Sequence, residues 1–188
     1  MMSDRLSRSL IQIIQYHRAS IFFHWLLVVL LAIAFISIEL KGQFIKGSEP
    51  RELCKTIHGF VGQLIFIAMV MRLIIRLIYG VPTPLARSKA AAIVAQSMHS
   101  IFYILLLGLP ILGALFLQAG GKEIAPFNWA LPQMIESGAS ARKPLKALHE
   151  WLGNALYFLI GLHALAALSQ HYILQNQCLL RMLGKNKA

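Results

Sequence analysis

Four runs of apolar residues divide this chain, at about residues 21–40, 57–79, 93–118 and 148–174. Each is close to the ~20 residues an α-helix needs to cross a hydrocarbon core about 30 Å thick. Polar and charged residues collect between the runs, where a membrane protein meets water. The pattern predicts an all-α protein, an integral membrane four-helix bundle. The first run is too long for the apolar stretch of a cleavable leader and lacks a small-residue cleavage pattern. Composition agrees: 57% hydrophobic against 13% charged residues is too apolar for an ordinary soluble domain.

The bundle is expected to occupy residues 21–175, preceded by a tail at 1–20 and followed by a basic tail at 176–188. Leu6, Leu10, Ile13 and Ile14 alternate with Arg5, Arg8 and Arg18. That fits a short amphipathic helix at the interface, and equally a tail without fixed structure. Gly42 and Gly47 separate the first two spans, and Gly80 with Pro82-Thr83-Pro84 ends the second. Pro110 predicts a kink in the third. The longest connection, 119–147, carries Phe127, Trp129 and Leu131, which suits a lid at the membrane surface better than a free coil.

The net charge of +11 does not imply nucleic acid. The charges lie in loops and at helix ends, with no basic stripe interleaved with stacking aromatics. An even number of spans puts both termini on one side, together with Arg72, Arg76, Arg87 and Lys89. The other side carries Lys41, Lys46, Arg51, Lys55, Lys122, Arg142, Lys143 and Lys146. The balance favours cytoplasmic termini by a small margin. Cys54 and Cys178 then fall on opposite sides and cannot bridge.

Histidines inside a membrane are the candidate chemistry, because ionisable side chains there are costly and mark cofactors or charge pathways. His149 and His163 share the fourth span; that separation rises about 21 Å and turns within roughly 40° of four full turns. Both therefore leave nearly the same face, one toward each edge of the bilayer. His24 opens the first span on the inner side, and His58 opens the second on the outer side. Depth alone pairs His24 with His163 and His58 with His149. Gly62 and Gly153 follow His58 and His149 by about one turn, on faces that would receive a flat macrocycle. Two axial histidine pairs suit two b haems better than zinc, which gathers three or four ligands at one point. There is no Cys-x-x-Cys-His, so covalent haem attachment is not expected.

Other residues are open to more than one reading. His99 and Tyr103 face the same way near the inner pair. His99 suits a quinone head group, a ligand in place of His24, or a hydrogen-bonded buried histidine. Arg72 and Arg76 suit haem propionates or snorkelling at the inner interface. His17 and His171 read as solvated interface residues.

Phe23-His24-Trp25, Ile57-His58-Gly59, Leu148-His149-Glu150-Trp151-Leu152, Gly161-Leu162-His163-Ala164, Gln170-His171-Tyr172 and the tail Leu179-Leu180-Arg181-Met182 together resemble the bacterial cytochrome b561 family. The resemblance covers all four spans. It implies an inner-membrane bundle with two b haems ligated from helices one, two and four, a ubiquinone partner, and in some members oxidation of superoxide on the outer side. Some members carry two adjacent histidines where this chain has Gln170-His171, which leaves that position without an assigned role. The outer cations flanking His58 and His149 would draw in a small anion, or else contact membrane lipid head groups. Two rival functions share the histidine pattern: the haem b anchor of a hydrogenase or dehydrogenase complex, fed by a partner protein, and a histidine-rich metal transporter.

Overall fold

The computed structural model describes residues 16–83, 85, 88–125 and 130–185. The expected amphipathic segment before Tyr16, together with Arg87, Phe127, Trp129 and Lys187, lies outside the described residues. Helices are the only regular elements among those described. They are α1 (Arg18–Leu40), α2 (Glu49–Tyr79), α3 (Lys89–Ala119), α4 (Ala139–Tyr172) and the short α5 (Cys178–Met182), with a 3₁₀ turn at Lys41–Gln43. Four of the helices are long and apolar enough to cross a membrane.

Local chemistry sets their ends. The backbone N–H of Ala19 donates to His17 Nδ1 at the start of α1, and that of Ala91 donates to Ser88 Oγ at the start of α3. Helix α2 has Pro50 in its first turn, Glu49 and Glu52 at its positive end and Arg76 at its negative end. It stops at Gly80, whose φ of 69° is left-handed.

The helices extend past the apolar runs. Helix α2 starts at Glu49 instead of residue 57, and α4 at Ala139 instead of 148; α4 ends at Tyr172, short of 174. With 31 residues, α2 is about 46 Å long, well beyond a hydrocarbon core of about 30 Å. Hydropathy marks the hydrocarbon depth, whereas the helix continues through the head-group zone where Arg51, Lys55, Arg142 and Lys146 are cheap. The long outer connection is correspondingly shorter than expected.

Leu27, Leu30 and Ala34 of α1, Val61, Ile65, Ala68 and Met69 of α2, Leu106 and Leu109 of α3, and Leu156 of α4 form the buried core. Sequence neighbours pack side by side, α1 on α2, α2 on α3 and α3 on α4, whereas the backbone of α4 stands off from α1 and α2. That gap is bridged by side chains: Tyr157 stacks on Phe35 with ring centres 3.8 Å apart, and its hydroxyl donates to Glu39 Oε1 at 3.2 Å. Large apolar residues such as Phe22, Leu77 and Phe158 point outward, as a lipid-facing surface requires.

The tail is pinned at the end of the bundle where α1 begins. Trp25 Nε1–H donates to the Met182 carbonyl at 2.8 Å, and Arg181 donates to the Thr83 carbonyl at 2.9 Å. Cys54 is buried and Cys178 exposed, both as free thiols. Near the start of α2, the buried Cys54 is therefore a poor target for a thiol reagent and would report badly on sidedness.

Candidate functional site

Two histidine centres lie within the bundle. In one, called outer after the side the sequence leads one to expect, His58 of α2 faces His149 of α4, with ring centres 6.1 Å apart and planes at 84°. His58 Nδ1 lies 2.9 Å from the Ala34 carbonyl of α1, and His149 Nδ1 lies 3.1 Å from the Leu109 carbonyl of α3. A carbonyl oxygen can only accept, so both Nδ1 atoms carry the proton and donate it. In each neutral ring the lone pair is then left on Nε2. This is the arrangement metal-ligating histidines adopt, and the backbone acceptor fixes ring orientation and raises ligand basicity.

The spacing also fits. With metal–nitrogen bonds of about 2 Å and ring centres about 1 Å further back, two imidazoles would stand roughly 6 Å apart if they held a metal from opposite sides and about 5 Å apart at a tetrahedral zinc. Space beside the pair suits a flat group: a Cβ placed on Gly62 or on Gly153 would meet nothing within 4 Å. The donor set, the proton positions and the room all match a non-covalently held haem. Against His149 the packing from α3 is close. A Cβ on Gly113 would sit 3.3 Å from His149 Cε1, and Phe116 lies edge-on at 5.5 Å.

The Ala34 and Leu109 carbonyls and the close approach of Gly113 are parts of this site that sequence reasoning missed. Gly113 was visible as a glycine in a bulky apolar run; the carbonyls had no signal, since every residue carries one.

The inner centre is assembled differently. His163 meets His99 of α3 with ring centres 5.7 Å apart, and Phe102 at 5.2 Å. His24 rests against Trp25 at 5.4 Å. A chain of contacts joins these to the arginines. Arg76 covers the ring of Tyr103 at 5.6 Å, one turn from His99, and Arg72 donates to the Ser20 carbonyl at 2.9 Å, one turn from His24. The sequence-selected inner residues thus occupy one region, with His99 the immediate neighbour of His163. Tyr16 lies at the same end, where burial pushes its phenol pKa up, helped by Cys178 and opposed by Arg72, Arg76 and Arg181.

His17 caps α1 and stacks on Tyr79 at 3.9 Å, while His171 has a buried Nδ1 with no hydrogen-bond partner. His171 is thus half-buried, with one ring nitrogen shielded from water. The outer cations are also less uniform than their sequence implied. Lys55 pairs with Glu52 and Lys146 with Glu150, and Arg51 donates to the carbonyls of Lys41 and Phe44. Among the described residues no group of three or more His, Cys, Asp or Glu side chains is placed to hold one metal ion. The histidines meet in twos, which disfavours a zinc centre.

Four membrane-length helices enclosing facing histidines with free Nε2 atoms define a membrane protein of the b-cytochrome class. The family described as prokaryotic cytochrome b561 matches residues 15–185. A probable superoxide oxidase CybB of Yersinia pestis is 37% identical over 175 residues, spanning 92% of this chain and 98% of the relative. Cytochrome b561 homolog 1 of Escherichia coli strain K12 is 33% identical over 178 residues, 92% of this chain and 99% of that protein. This chain belongs to the prokaryotic cytochrome b561 family. It is a bacterial integral membrane cytochrome that binds b-type haem and takes part in electron transfer.

Proposed function

We propose that this chain carries two b haems in the bacterial inner membrane and exchanges electrons between superoxide on the periplasmic side and ubiquinone, with both termini cytoplasmic. His58 and His149 hold the outer haem; His24 and His163 hold the inner one, beside His99 and Tyr103. The observation that carries this reading is the outer pair, 6.1 Å apart with both Nδ1 atoms committed to backbone carbonyls. A haem held by two imidazoles supplies a one-electron carrier with no coordination position open to substrate.

The chain's own residues do the rest. Ala34 and Leu109 fix the rings of His58 and His149. Arg72 and Arg76 supply positive charge at the inner centre, and the outer cations raise the local concentration of an anion. In the overall exchange two superoxide anions each lose one electron and leave as dioxygen; one ubiquinone takes both electrons with two protons and becomes ubiquinol. The relative named as a probable superoxide oxidase supports this choice of donor.

Sidedness and donor can be tested together. Superoxide generated outside spheroplasts should reduce the haems, and the same source outside inverted vesicles should not. The rate should fall with rising ionic strength, because exposed charges more than about 10 Å from the ion are screened near 0.1 M salt. Reduction only in inverted vesicles would reverse the orientation. Reduction in neither would favour the anchor of a dehydrogenase or hydrogenase complex, whose donor is a docked protein.

A further inference from the structure

Helix α3 ends at Ala119, and its C-cap Gly120 is covered by a side chain from α4. A Cβ on Gly120 would lie 2.8 Å from Arg142 Nε and 3.1 Å from Arg142 Cζ. A guanidinium is well placed there, because the last carbonyls of a helix carry its negative end. Arg142 also precedes His149 by two turns, about 10 Å along the axis and within roughly 20° of the same face. Phe116, one turn before Gly120, touches the His149 ring. Arg142 is thus held directly outward of the outer histidine pair, in the seam between α3 and α4.

Its charge is not spent. Lys55 and Lys146 are ion-paired with Glu52 and Glu150, and Arg51 is tied to carbonyls. Among the described residues the Arg142 side chain has neither an ion pair nor a hydrogen bond. It combines contact with Gly120 at the end of α3 with a positive charge that no described carboxylate balances, which loop lysines at the surface do not.

We propose that Arg142 is the anion-recognition residue of the outer centre, docked on Gly120 so that its guanidinium receives a carboxylate or small oxyanion outward of His149. This rests on the reading of His58 and His149 as haem ligands. Two sources share the chemistry: a propionate of the haem itself, and a diffusible anionic reductant. A planar fork of donors serves either one, and a lysine would replace it poorly.

Gly120→Ala is the incisive variant. At φ −87° and ψ 8° the backbone accepts any residue, and the atoms in the way belong to a flexible side chain. The substitution therefore moves the guanidinium without changing charge. Arg142→Gln removes the charge, and Lys143→Gln removes a neighbouring one from a different face of the helix.

Three readouts apply to each purified protein: haem-to-protein ratio, midpoint potentials, and reduction rates with superoxide and with a neutral quinol. If a propionate is the anion, Arg142→Gln and, to a lesser degree, Gly120→Ala should lower the outer midpoint, because an electron is less welcome once a nearby cation is lost or displaced. If a diffusible anion is bound, both variants should slow superoxide several-fold, spare the quinol and leave the potentials unmoved. Lys143→Gln, which removes an outer cation that does not contact Gly120, should leave the potentials at wild type and slow superoxide clearly less than Arg142→Gln. The assignment fails if both test variants behave as wild type, if Gly120→Ala alone does so, or if Lys143→Gln reproduces Arg142→Gln. A wild-type protein without an outer haem would instead defeat the underlying haem reading, which the first readout separates from the others.

Discussion

Replacing His58 with alanine is expected to remove one haem per chain and leave the other in place, and replacing His163 should remove the other. Each centre depends on its own histidines, and the two sets sit at different depths, one on α2 and α4 and the other on α1 and α4. Losing one imidazole would leave the group one ligand short, with no third described His, Cys, Asp or Glu side chain placed with the outer pair to replace it. The expected readout is a haem-to-protein ratio halved in both variants, with complementary losses in the reduced-minus-oxidised spectrum. His163→Ala is the more demanding case, since His99 lies 5.7 Å from His163 and is a second imidazole at that level. A His99→Ala variant settles which histidine opposes His163: retention of both haems keeps His24 as the ligand. Loss of both haems from His58→Ala or from His163→Ala would mean that the centres are not independent.

Gly113→Leu should act almost as strongly on the outer centre without touching a ligand. The first added carbon would already lie 3.3 Å from His149 Cε1, and the rest of the leucine would need the volume the imidazole fills. Overpacking of this kind costs about 1–3 kcal/mol, and displacing the ring also breaks its bond to the Leu109 carbonyl, worth about 1 kcal/mol more. The outer haem should be lost or its spectrum shifted, while the inner one persists. Gly113→Ala should do much less, because the ring needs to yield by only a few tenths of an ångström. Equal occupancy of the outer centre in Gly113→Leu and wild type would show that the ring has room the geometry does not suggest.

The parts of this molecule legible in its sequence are those that depend on depth. Apolar run length places four spans, and helix direction puts His58 and His149 at one level, where they face each other. Depth says nothing about rotation, and what rotation decides was hidden: the Ala34 and Leu109 carbonyls, the close approach of Gly113, and Arg142 lying on Gly120. It also fixes a level without naming the neighbour there, so His99 of α3 emerged beside His163 only in three dimensions. The helix ends were hidden for another reason. Residues such as Arg142, Lys143, Pro144 and Lys146 look like loop by hydropathy, yet one helix carries them on through the head-group zone. Counting cations likewise overstated the free charge, since Glu52 and Glu150 each lie within a turn of a lysine and neutralise it.

The measurement that bears most directly on the central claim is the haem content of the purified wild-type chain, with protein quantified independently and the haem identified by its reduced-minus-oxidised spectrum. Two non-covalently bound, low-spin b haems per chain is the expected result; a single haem, none, or zinc or copper in place of haem would contradict it.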